Sequence, residues 1–139
     1  MAELIFSLNW WAVLVASISY FILGAIWYSV LFGKKWMEIR GITEEQIMEQ
    51  GGGSNPSLYL WSFLLEFIAV LSLALFIQAV GATGFAQGAG IGFAVGAGFV
   101  FTLTGNTGLF SDTKLPLHFI DNGYHVAALT LAGAVIGVW

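Results

Sequence analysis

SLYLWSFLLEFIAVLSLALFIQAV, Ser57 to Val80, carries a single ionisable side chain, Glu66, in a run otherwise made of aliphatic, aromatic and small or uncharged polar residues. A helix needs roughly 20 mostly apolar residues to cross the hydrocarbon core of a bilayer. Inside that core each backbone N–H and C=O must find its partner within the protein, which a continuous helix achieves locally. The stretch therefore predicts a membrane-spanning helix over 57–80. Working outward, residues 8–32, 84–109 and 116–139 have the same length and character. The fold class that follows is all-α: one transmembrane domain over 1–139, with four antiparallel transmembrane helices. A short cytosolic helix is expected in the 33–56 loop between the first and second.

Composition agrees. Hydrophobic residues make up 58% of the chain and charged residues 9%, whereas a soluble domain carries roughly 25% charged residues. A water-exposed surface needs more charge than this, so the lipid bilayer is the first partner. No cysteine is present, which excludes disulfides and thiolate metal sites. With Lys and Arg totalling 4, no basic patch for nucleic acid can form. The opening MAELIFSLNWW has no positively charged leader and reads as part of a retained first span.

The joints differ. Residues 33–56 hold Lys34, Lys35 and Arg40, and then TEEQIMEQ, in which Thr43 and Gln46 have capping-box spacing. Gly51, Gly52 and Gly53 would stop that helix. The second and third spans are separated only by Gly81 to Thr83, a tight hairpin. Ser111-Asp112-Thr113-Lys114 turns the chain into the fourth span, where Pro116 suits the first helical turn. Lys34, Lys35 and Arg40 in the first loop and Lys114 in the third fall on one side of a four-span protein. The positive-inside rule assigns that side to the cytoplasm, and both termini to the outside of the inner (cytoplasmic) membrane. Trp10, Trp11, Trp27, Tyr28, Trp36, Tyr59, Trp61 and Trp139 lie near span ends, as an interfacial belt would.

In the third span Gly84, Gly88, Gly92 and Gly96 recur every fourth residue, on one helical face. A stripe without side chains lets another backbone approach closely, the usual means of helix association in lipid. Two partners suit it: the chain's own helices, with the third span central, or a second copy in a homo-oligomer or larger membrane complex. Gly133 and Gly137 offer a shorter second seam. No strand precedes this stretch and no Lys-Ser/Thr follows, so it is not a phosphate loop.

Ionisable groups inside spans are costly and mark functional candidates. Glu66 lies in the second span, and His118, Asp121 and His125 share one stripe of the fourth, flanked by Asn122 and Tyr124. At 1.5 Å rise per residue, Glu66 and His125 each sit about 14 Å into their helices. They are expected to face the bundle interior and to pair, directly or through water, while His118 is expected at the interface near Lys114. A carboxylate and an imidazole together suit proton or ion relay. Two histidines and two carboxylates suit a divalent metal, and all of them suit hydrogen bonds that fix helix register. No metal site and no cofactor is assigned. Haem would need a second chain to supply the other axial histidine, and no serine stands in a nucleophile context. The chain is therefore read as non-enzymatic.

GAIWYSVLFGKKWM (Gly24 to Met37), GITEEQIMEQ (Gly41 to Gln50) and HFIDNGYHVAALTLAGAVIGVW (His118 to Trp139) resemble an uncharacterised membrane family catalogued as domain of unknown function 1761. The matching positions are Trp27, Tyr28, Phe32, Gly33, Trp36, Asp121, Gly123, Tyr124 and His125. The resemblance implies a four-helix bacterial membrane protein and brings no activity. It suggests a cytoplasm-facing vestibule lined by Trp27, Tyr28, Asn106 and Tyr124 beside Asp121 and His125. The leading expectation is an oligomeric transporter or channel-like protein with an ion- or proton-binding site at Glu66, Asp121 and His125. The alternative is a non-catalytic accessory subunit packing through the glycine stripe; a membrane enzyme or cofactor carrier comes third.

Overall fold

The first N–H groups of a helix lack helical partners and must find others. In the computed structural model, which describes residues 2–51 and 55–139, Asn9 accepts from the backbone N–H groups of Trp11 and Ala12 at 3.1 and 3.3 Å. That cap opens α2 (Trp10–Ile26), after a short α1 (Ala2–Phe6). A π-helical segment, Trp27–Leu31, completes the first span. Between the first two spans lie α3 (Gly33–Arg40) and α4 (Glu44–Glu49). Asn55 caps α5 (Pro56–Ala79) through Ser57 N–H at 3.1 Å, with Pro56 in its first turn. The third span runs as α6 (Phe85–Val95), a second π-helical segment (Gly96–Phe101) and α7 (Thr102–Phe110). The fourth is α8 (Leu115–Val138), with Pro116 in its first turn. Four continuous helices, Trp10–Leu31, Pro56–Ala79, Phe85–Phe110 and Leu115–Val138, are long and apolar enough to cross a membrane. No strand occurs among the described residues.

The capping box of α4 forms, Thr43 N–H donating to Gln46 Oε1 at 3.0 Å and Gln46 N–H to Thr43 Oγ1 at 3.2 Å. Of the glycines expected to stop it, Gly51 takes a φ of 77°; Gly52 and Gly53 lie outside the described residues. Lys114 Nζ donates to the carbonyl of Ile39 at 2.7 Å, which ties the end of α3 to the start of α8.

The glycine stripe is used within the chain. A Cβ on Gly88 would overlap the carbonyl oxygen of Gly133, and one on Gly92 that of Leu129. A Cβ on Gly96 would come within 2.8 Å of the Val126 Cα. The small residues of α8 answer them, since a Cβ on Gly133 would overlap the Gly88 carbonyl. Gly84 plays a different part from the one its spacing suggests. It is exposed, with φ 87°, and an added Cβ would meet nothing within 4 Å. It serves as a turn residue whose N–H donates to the Gly137 carbonyl at 2.6 Å.

The central helix is therefore α8, not the third span. In the apolar stretch of α8, 44% of residues are buried, against 17% in the third span. The third span meets the bundle through its glycine face with Ile91, Val95 and Val100 beside it, and Phe85, Phe93, Phe99 and Leu103 point outward. The core consists of Val13, Ala16, Ser17 and Tyr20 from α2, Val70, Leu73, Ala74 and Ile77 from α5, and Tyr124, Ala128, Leu129 and Ala132 from α8. The outer surface carries Ile18, Ile22, Leu60, Leu65, Ile68 and Phe76, the apolar exterior that a lipid environment tolerates and water does not. Trp10, Trp11, Tyr59, Trp61 and Trp139 are exposed near span ends. Trp27, Tyr28 and Trp36 are not free members of such a belt, because each turns a polar atom inward to α8.

Candidate functional site

The first span brings Tyr20, Gly24, Trp27 and Tyr28 onto the side facing α8, as spacings of three, four and eight residues require. The π-helical segment starts at Trp27, where the backbone N–H of Phe32 closes a wide turn onto the Trp27 carbonyl at 2.8 Å. Phe32 then breaks the helix, and Gly33 turns the chain into α3. A Cβ on Gly33 would overlap the carbonyl oxygen of Tyr28, so this turn requires glycine. It delivers Trp36 back over the bundle, next to Tyr28, with ring centroids 6.0 Å apart.

Asp121 receives both aromatic donors on one oxygen. Tyr28 Oη donates to Asp121 Oδ1 at 2.9 Å, and Trp36 Nε1 donates to the same atom at 3.0 Å. One residue earlier on α8, the carbonyl of Ile120 accepts from Trp27 Nε1 at 3.0 Å. One turn deeper, His125 Nδ1 lies 2.8 Å from Tyr20 Oη. Glu66 enters from α5. Its Oε1 accepts from Tyr124 Oη at 3.0 Å and from Ser62 Oγ at 3.2 Å. Its Oε2 is buried without a hydrogen-bond partner among the described residues.

Tyr124 is the hub. Its ring stands edge-on to Tyr20 at 5.5 Å and to Tyr28 at 5.6 Å, and lies 4.8 Å from the His125 ring. Such edge-to-face pairs add about 0.5–1.5 kcal/mol each beyond the area they bury. Gly24 makes room for it: a Cβ there would come within 2.7 Å of the Tyr124 hydroxyl. Three ionisable side chains, each bonded to a different tyrosine hydroxyl, thus form one cluster between the first, second and fourth spans.

The structure brings Glu66, Asp121, His125, Trp27, Tyr28 and Tyr124 together. The direct Glu66–His125 contact expected from their depth does not form, because tyrosines fill the gap: Tyr124 takes the carboxyl and Tyr20 the imidazole. Asn106 stays outside the cluster and is exposed. It lies two residues, or about 200° of helical rotation, from Thr104, which faces α8. His118, expected at the interface near Lys114, stands in the first turn of α8, its N–H donating to the Lys114 carbonyl at 3.1 Å, and its side chain packs inward. It is 7% exposed, with Nδ1 2.7 Å from Asn122 Nδ2 and its ring 4.5 Å from that of Phe101. Thr104 Oγ1 completes this second cluster by donating to Asn122 Oδ1 at 2.7 Å. Among the described residues no three His, Asp or Glu side chains converge as metal ligands.

Sequence reasoning does not single out Tyr20, and it gives Trp36 as a belt residue and a family-matching position without a partner. The signal for Tyr20 is the Tyr20–Gly24–Tyr28 repeat, a polar aromatic stripe with a gap in the middle. Nothing local announces Trp36, whose partner is 85 residues away.

The family described as protein of unknown function (DUF1761) matches residues 11–137, and the chain belongs to it. No curated protein and no solved structure matches the chain.

Proposed function

We propose that this member of the family is a small membrane transport protein, a transporter or channel-like protein, that handles protons or cations through Glu66, Asp121 and His125. One observation carries this: within membrane-length helices, two carboxyls and an imidazole each have a separate tyrosine hydroxyl as partner. Register alone needs far less. Ionisable groups at such depth are expensive and are kept where they bind or pass charge. A tyrosine hydroxyl both donates and accepts, so each contact can hold a proton on either side and exchange it when a neighbouring partner changes.

The proposed arrangement in the membrane is four antiparallel spans with α3 and α4 in the cytosol. Two contacts support it. Gly88 meets Gly133 and Gly96 meets Val126, so contacts move back along α8 as the third span advances. Lys114 reaches Ile39, which puts the two positively charged loops at one end of the bundle. By the positive-inside rule that end is cytoplasmic and both termini are outside. Deeper than the tyrosines, Val13, Val70, Leu73 and Leu129 close the core, so movement across the bilayer requires these side chains to part or a second copy to complete the path. The accessory-subunit alternative has less support, because the glycine face it would use already packs on α8.

The test is flux. The purified chain, reconstituted in vesicles holding a pH-sensitive dye, is expected to carry protons when a potential is imposed. Glu66→Gln is expected to remove most of that flux while remaining folded by circular dichroism. No flux above empty vesicles, or undiminished flux in folded Glu66→Gln and Asp121→Asn variants, would sink the proposal.

A further inference from the structure

Asp121 uses only half of its carboxylate in the cluster. Tyr28 and Trp36 both bond Oδ1, and among the described residues no donor reaches Oδ2. The same residue lines a recess of about 360 Å³ between the end of the third span and the start of α8, together with Thr104, Thr107, Ser111, His118 and Asn122. The hydroxyl hydrogens of Thr104, Thr107 and Ser111 in that wall are committed elsewhere. Thr107 Oγ1 donates to the Leu103 carbonyl at 3.2 Å and Ser111 Oγ to the Thr107 carbonyl at 3.1 Å. Thr104 Oγ1 donates to Asn122 Oδ1, and the Asn122 amide is held by His118. A guest therefore meets oxygen lone pairs and a carboxylate, with few free donors.

Among the described residues no cation pairs with Asp121. The ion pair among the described residues is Lys35–Glu38, and Lys114, the nearest cation in sequence, gives its ammonium to the Ile39 carbonyl. Size narrows the guest. A water occupies about 30 Å³, and pockets for small organic ligands begin at about 300 Å³. The recess is an open groove with room for a small organic guest, and no three metal-ligating side chains converge among the described residues.

We propose that the recess beside Asp121 binds a primary alkylammonium ion of a few carbons. Its three N–H donors would meet Asp121 Oδ2 and the hydroxyl oxygens of the wall, and its alkyl part would lie against Leu103, which also lines the recess. This names a substrate class for the proposed transport function and rests on that reading only for what happens after binding.

Binding is tested at equilibrium with no gradient. The full chain in lipid nanodiscs is titrated with n-propylammonium chloride by calorimetry, with tetramethylammonium and sodium chloride as competitors. Saturable binding is expected, weakened at least tenfold in Asp121→Asn and several-fold in Thr107→Val, and unchanged in Gly90→Ala. Neither competitor is expected to displace the ligand at equal concentration, since tetramethylammonium has no N–H and sodium is too small. No saturable binding, equal competition by either ion, or wild-type affinity in Asp121→Asn overturns the proposal. If Asp121→Asn unfolds, Thr107→Val and the two competitors decide it in the same way. Proton flux with no propylammonium binding leaves the transport reading standing and removes this one. Binding with no flux of any kind does the reverse.

Discussion

The two ends of the bundle are held together by opposite means. Near the 81–84 turn, the third and fourth spans meet backbone to backbone, with Gly88, Gly92 and Gly133 leaving no room for a single methyl group. Near the 33–56 and 111–114 loops, contact is made by the longest polar side chains available: Tyr20, Tyr28, Trp36 and Tyr124 reaching Asp121, His125 and Glu66. Close-packed backbones have one arrangement and lose much when displaced, because dispersion contacts vanish over fractions of an ångström. A hydroxyl can exchange one acceptor for another at small cost when both are near. The first end is built to stay fixed, and the second is built to change partners.

Substitutions can break or sharpen this contrast. The largest effect is expected at the tight end. Gly92→Ala places a methyl group on the Leu129 carbonyl, and Gly88→Ala does the same at Gly133. Each is expected to cost about 3 kcal/mol or more, at the upper end of overpacking effects, read as a fall in the thermal unfolding midpoint in detergent. A wild-type midpoint for both would mean the two backbones are not in contact. Next comes Tyr124→Phe, which leaves Glu66 with Ser62 as its remaining donor. A loss of about 1.5–3 kcal/mol is expected, the range for a hydrogen bond to an ionisable group, by the same unfolding measurement. Trp36→Phe is expected to cost about 1 kcal/mol, because Tyr28 still bonds Asp121. A larger loss than that of Tyr124→Phe would show that α3, and not α5, secures the polar end. The smallest effect is expected at Gly90, where an added Cβ meets nothing within 4 Å. Gly90→Ala should stay within about 0.5 kcal/mol of wild type, so glycine content alone does not explain sensitivity in this helix.

The four-span, all-helical character is legible because it depends only on the length and apolarity of each segment, and Glu66 stands alone in a run such as Ser57–Val80. The caps are legible for the same local reason, since Thr43 and Gln46 are three residues apart. The place of the third span is not. Its glycine stripe advertises close packing and so suggests a central helix, but a stripe has one side, and the rest of the helix bears Phe85, Phe93 and Phe99 turned outward. Centrality belongs to α8, whose Ala128 and Ala132 pack with α2 and α5 while Gly133 and Gly137 face the start of the third span. The site is half legible. Asp121 and His125 stand out as ionisable groups in a span, but their partners Tyr28 and Tyr20 lie 93 and 105 residues away. Depth places Glu66 and His125 at one level and cannot reveal that Tyr124 stands between them.

The central position of α8 has a consequence for how the protein is made. Tyr20, Trp27, Tyr28 and Trp36 all find their inward partners on that helix, and so do Gly88 and Gly92. It is the last of the four spans to leave the ribosome. Until then, three inserted helices wait in the bilayer with Glu66 lacking Tyr124 and the glycine face of the third span open to acyl chains. Insertion and assembly are thus separate stages, and the inward polar contacts of the first span and the glycine face of the third are satisfied only when the last helix arrives. A pause in synthesis before residue 115 would leave the nascent protein a ready client for quality-control proteases.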